Sequence, residues 1–136
     1  MNMAVAAAVA ALVLTIGGAK ADPAAVRATI KAQLEAFRAK DAVSAFSHAG
    51  PRIKEMFGTP ERFIEMVRRG YRPVYQATEP TFLRFKSAGE GGVAQEVGLV
   101  DDAGEAWTAL YTLKRRDDGS WRITGCYLRK ADGKAA

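Results

Sequence analysis

The hydrophobic period of the chain changes at Pro73, and this change restricts it to folds in which helices come first and a sheet follows. Up to that point apolar residues recur at helical spacing. Asp22 suits a cap and Pro23 a first helical position, and Val26, Ile30, Leu34 and Phe37 then fall on one stripe. Arg27, Lys31, Glu35 and Arg38 lie off that stripe. Asp41 caps a short second helix carrying Val43 and Phe46, which Gly50-Pro51 breaks. Ile53, Met56 and Phe57 give another helical turn or two, stopped by Gly58. Thr59-Pro60 opens a further helix with Phe63, Met66 and Val67 inside and Gly70 as its stop. Beyond Pro73, Thr81–Ser87, Gly92–Val100, Ala106–Lys114 and Ser120–Lys130 read as strands between turn-forming Gly and Asp clusters. Connections this short make neighbouring strands antiparallel. The expected fold is α+β, with the N-terminal helices packed in the concave face of a curved antiparallel sheet.

The first 21 residues concern location. Ala4–Ile16 is an uncharged apolar run of 13 residues, followed by Gly17-Gly18 and the small-x-small triplet Ala19-Lys20-Ala21. A bilayer span takes roughly 20 apolar residues. The run therefore reads as a signal peptide cleaved after Ala21, which places the protein in the periplasm or outside the cell with no transmembrane segment after processing. Asp22–Ala136 is then 115 residues, enough for one domain over 22–130 and a disordered polar tail at 131–136.

Composition removes several function classes. Cys126 is the only cysteine and His48 the only histidine, so neither a disulfide framework nor a Cys/His zinc site can form, and no cofactor is expected. His48 reads as a loop residue in Ser47-His48-Ala49-Gly50-Pro51. After processing, 19 Lys and Arg face 15 Asp and Glu, with the whole excess before Gln76 and a concentration at Arg68, Arg69 and Arg72. That bias suits a small anionic ligand or a membrane surface rather than nucleic acid, which asks for a basic stripe and a recognisable module. A solvated helix face would look the same.

Particular residues carry a resemblance. Gln33-Leu34-Glu35-Ala36-Phe37 with Asp41, Ala45-Phe46-Ser47, Phe57-Gly58-Thr59-Pro60, Tyr71-Arg72-Pro73-Val74 and Trp121-Arg122-Ile123-Thr124-Gly125-Cys126-Tyr127-Leu128 follow one another across the processed chain. In this order they resemble the exported bacterial family called domain of unknown function 4864, within the nuclear transport factor 2-like superfamily of cone-shaped α+β domains. The resemblance implies a pocket between the sheet and the first helices. It implies no activity, because that superfamily includes isomerases, dehydratases, binding modules and adaptors.

Strand alternation sorts the candidates for such a pocket. Trp107 and Tyr111, with Leu83, Phe85, Val93, Val97, Leu99 and Ile123, form the expected concave set, and Gln95 is the polar member among them. Gln95 could contact a ligand or satisfy the scaffold, and the second role is the default for a buried amide. Tyr71 and Tyr75 are placed at the pocket mouth beside the Arg68, Arg69 and Arg72 rim, and each also fits ordinary packing at a helix-to-strand junction. Asp41 is a cap before it is a base. Alternation puts Cys126 opposite Trp107, on a convex face with Phe82, Val100, Leu110 and Leu128, apolar enough to support a sheet-to-sheet homodimer. The leading expectation is a non-catalytic domain that binds a small amphipathic or anionic ligand, or a protein, through the cone. A small-molecule isomerase, dehydratase or hydrolase is the alternative, and a dimerisation or adaptor domain is the third. Acid–base chemistry would require an inward carboxylate or histidine, and only a register slip bringing Glu96 inward would supply one.

Overall fold

The computed structural model describes residues 22–131; the expected signal peptide over 1–21 and all of the expected tail but Ala131 lie outside them. Five helices precede four strands: α1 Pro23–Arg38, α2 Ala42–Ser47, α3 Pro51–Phe57, α4 Pro60–Gly70, α5 Arg72–Tyr75, β1 Thr81–Ser87, β2 Gly92–Val100, β3 Ala106–Arg115 and β4 Trp121–Lys130. The chain is thus an α+β protein. The helix starts follow from local chemistry. Oδ1 of Asp22 accepts from the Ala24 amide, Oδ1 of Asp41 from that of Ser44, and Oγ1 of Thr59 from that of Arg62. At the other end of α3, Gly58 adopts φ 77°, a left-handed conformation that a side chain would strain.

Val43 is 67% exposed rather than inward, because a helix of six residues presents only one side to the core, and Ala45 with Phe46 takes that side in α2. Met56 is equally exposed, although it also borders the space between the helices and the sheet. Gly70 ends α4 as expected; the chain then bends at Tyr71 (φ −135°) and forms the short α5, with Pro73 and Val74 buried.

The strands form one antiparallel sheet in the order β1-β2-β3-β4. Val26, Ile30, Leu34 and Phe37 of α1 pack with Val97, Leu99, Leu113 and Ile123 of the sheet in a single core. Between β2 and β3 the register is unbroken, pairing Gln95 with Tyr111 and Glu96 with Leu110. Glu96 therefore stays on the outer face.

Bulges in the two edge strands overturn the simple alternation. On β1, Phe82 pairs with Val97 and Phe85 with Gln95, so Leu83 and Arg84 together oppose Glu96. Phe82 consequently turns toward the core and Leu83 is exposed, the reverse of what alternation predicts. On β4, Ile123 pairs with Leu113 and Gly125 with Thr112, leaving Thr124 as the extra residue. Parity flips there: Cys126 faces Tyr111 and Leu128 faces Ala109, both on the helix side. Gly125 is needed at this point, since a Cβ would stand 2.9 Å from Thr112 Oγ1. Of the five residues assigned to the convex face, only Val100 and Leu110 remain there. Leu83 and Tyr127 join them, so the outer surface available to a second copy differs from the expected one.

Candidate functional site

A cavity of about 290 Å³ lies between the helices and the β4 side of the sheet. Phe37 of α1, Ile53 and Phe57 of α3, and Phe63, Met66 and Val67 of α4 form its apolar walls. An aromatic cluster fixes them. The Phe63 ring lies 5.9 Å from Phe37, 5.5 Å from Phe46 and 5.7 Å from Phe57, which ties α1, α2 and α3 to α4. On the sheet side the lining is Tyr111, Ile123, Cys126 and the bulged segment Thr124-Gly125.

Gln33, Tyr71, Tyr111 and Cys126 bring polar groups to this cavity from buried or half-buried positions. Gln33 is buried and lines the cavity, and its Nε2 donates to the Ala45 carbonyl at 3.1 Å. Tyr111 is only 1% exposed, and its Oη makes no hydrogen bond of standard geometry among the described residues. Cys126 stands beside it, and a thiol is a weak partner for a phenol. Burial raises the Tyr111 hydroxyl well above its ordinary value and pushes the Cys126 thiol up to about 12. Both are neutral near pH 7. Among the described residues no Asp, Glu, His, Lys or Arg lines the cavity.

Of the other candidates, Tyr71 lines this cavity, whereas Gln95, Trp107 and Tyr75 do not. Gln95 is fully buried and bound into the scaffold. Its Oε1 accepts from Arg27 Nε at 3.2 Å, and its Nε2 donates to the carbonyls of Glu96 (2.8 Å), Arg84 (3.3 Å) and Leu83 (3.4 Å). Two of those carbonyls belong to the bulged residues of β1, so the amide serves a bulge rather than a helix end. Tyr75 packs against Phe37, with ring centroids 6.4 Å apart.

Trp107 belongs to a second, more polar groove of about 620 Å³, lined also by Arg69, Arg72, Gln76, Asp101 and Asp102. Its Nε1 donates to Asp101 Oδ2 at 2.9 Å; this bond, with the amides of Glu105 and Ala103, holds that carboxyl below its ordinary range. With the Gln76 amide turned to satisfy both neighbours, its nitrogen donates to Asp102 and its oxygen accepts from Arg72, each at 3.1 Å. The expected arginine rim is therefore divided. Arg68 and Arg69 share Glu65, at 2.6 and 2.8 Å, and the Arg68 hydrogen bond above all holds that carboxyl down to about 2. Arg69 and Arg72 face the second groove, and Arg68 lines neither space. Tyr71 and Tyr127 stand between the two.

Sequence reasoning missed Gln33 and Cys126 as cavity groups. Gln33 lies three residues after Ile30 and four before Phe37, on the buried side of α1, which was the available signal, but Cys126 was hidden by the bulge at Thr124. Among the described residues, no cluster of His, Cys, Asp or Glu is placed to hold a metal ion, and no helix is long and apolar enough to cross a membrane.

These features define an α+β domain with an uncharged cavity between its helices and its sheet. The chain belongs to the family described as Domain of unknown function (DUF4864), whose profile matches residues 19–136. None of the curated proteins searched is similar to it.

Proposed function

We propose that this is an exported, non-catalytic domain of the nuclear transport factor 2-like kind that holds a small, largely apolar ligand between α1, α3, α4 and β4. Export rests on the apolar run Ala4–Ile16 and the Ala19-Lys20-Ala21 triplet. Placement in the superfamily rests on helices gathered on one side of an antiparallel sheet.

One observation carries the binding reading: the Tyr111 hydroxyl is buried at the wall of a mostly apolar cavity, with only the weakly bonding Cys126 thiol beside it. A buried polar group without a partner costs roughly 1–3 kcal/mol, and most such groups in folded proteins are satisfied. A bound ligand would satisfy this one. The walls would hold its body by burial at about 25 cal/mol per Å² of apolar surface. Catalysis by proton transfer is disfavoured because the two ionisable groups at hand, Tyr111 and Cys126, are both neutral near pH 7 and difficult to ionise.

The test is titration with a neutral solvatochromic probe such as N-phenyl-1-naphthylamine, using wild type and Val67→Trp, which fills the cavity. Saturable binding to wild type and its loss in a folded Val67→Trp protein is the expected result. Equal binding by both would place the probe elsewhere and defeat the reading.

A further inference from the structure

We propose that the ligand is uncharged: a compact apolar body ending in a carbonyl-type oxygen that accepts a hydrogen bond from Tyr111 Oη, with carboxylates rejected. This rests on the binding reading above and goes further by naming the ligand class.

The argument begins with what the cavity lacks. Among the described residues no cation lines it, and Arg69 and Arg72 face the other groove. A charge moved from water into a site without a counter-charge costs far more than one hydrogen bond returns. The Tyr111 hydroxyl offers a single donor, and Gln33 has already directed its Nε2 to the Ala45 carbonyl. An ionised carboxylate, which accepts several hydrogen bonds, would leave most of that capacity empty here. A ketone, aldehyde, ester or amide oxygen requires one or two donors, a demand the buried Tyr111 hydroxyl can meet.

The same inventory sets polarity and size. A phenol O–H donates well, so the complementary group is an acceptor. Water is a poor substitute beside Tyr111, because a buried water typically makes about three hydrogen bonds and most of the walls are Phe, Ile, Met and Val. At about 290 Å³ the cavity sits at the lower end of small-molecule sites, which run from roughly 300 to 1,000 Å³. Met56 and Met66 at its wall are flexible side chains that can adapt to the shape of the body.

The probes are nonan-2-one, nonane and nonanoate, matched in length, measured by ligand-observed NMR at about pH 8, where the acid is ionised. The ketone should bind at least about tenfold more tightly than nonanoate. Tyr111→Phe should weaken the ketone by roughly three- to tenfold and leave nonane unchanged. Nonanoate binding as tightly as the ketone would overturn the uncharged class while leaving the cavity reading intact. Unchanged ketone affinity in Tyr111→Phe would overturn the role of that hydroxyl. If no probe binds, nonane included, both proposals fall together.

Discussion

Gln95 and Tyr111 are cross-strand partners on the same face of the sheet, both buried, yet one is saturated with hydrogen bonds and the other has none of standard geometry. The contrast extends outward from the pair. On the β1 flank a bulge frees carbonyls, the Gln95 amide takes them up, Arg27 closes the amide oxygen, and the Arg27 guanidinium lies 5.7 Å over the Phe82 ring. On the β4 flank a second bulge turns Cys126 toward Tyr111, and beyond it lies a cavity. One flank is complete in itself. The other is built to a lower standard, and an unsatisfied group beside a space is where a fold has accepted instability for a purpose.

Chemical reactivity gives the largest expected effect and the sharpest view of the β4 flank. With the Cys126 thiol pushed from an ordinary 9.0 to about 12, its thiolate population near neutral pH falls roughly a thousandfold. Iodoacetamide should therefore label the native protein very slowly and the urea-unfolded protein at the rate of a free thiol. Rapid native labelling would mean that the cavity admits water freely, and the contrast with the closed flank would be one of hydration alone.

Next comes the amide. Gln95→Leu strips Arg27 of its acceptor and leaves the bulge carbonyls of Leu83 and Arg84 without a donor, so it should cost about 3 kcal/mol in urea unfolding. Tyr111→Phe should act in the opposite direction. Deleting a buried hydroxyl whose one neighbour is a weakly bonding thiol should stabilise the ligand-free protein by about 1 kcal/mol. Loss of stability in Tyr111→Phe would show that the Cys126 contact is a full hydrogen bond, and the two flanks would then be alike.

What could be read in the sequence divides along the same line. The helix starts at Asp22, Asp41 and Thr59, the four strands and the inward faces of β2 and β3 were legible because period, capping residues and turn composition are local signals. The faces of β1 and β4 were not. A bulge is one residue of backbone geometry with no fixed side-chain signature, so Leu83 and Cys126 were each assigned to the wrong side by an alternation that holds only until the bulge. The site was half legible for the same reason. Tyr111 and Tyr71 stood in the unbroken parts of the chain, whereas Cys126 lay beyond Thr124. The division of the arginines between Glu65 and the second groove depends on tertiary placement, which a run of like charges does not encode.

The smallest expected effect is set by His48, which guards the start of the β4 flank. Its carbonyl accepts from the Ile123 amide at 2.8 Å, immediately before the bulge. Burial first, then the charges of Arg122 and Lys54, lower its affinity for a proton below the ordinary 6.5. Below 6.5 the unfolded chain therefore takes up a proton before the folded one does. Stability is full above that pH and declines as the pH falls toward the depressed folded value. Carboxylates whose ordinary values lie near 4 contribute little to the upper part of this window, so a fall in the urea midpoint between about pH 7 and about pH 5 reports mainly on this imidazole. His48→Asn keeps the backbone carbonyl and removes the titration, and it should flatten the slope. If native-state hydrogen exchange shows the acid loosening confined to β4 while the Gln95 flank stays protected, the two flanks differ in stability as well as in hydrogen bonding. Loosening spread evenly over β1 and β4 would make the difference purely local to Tyr111.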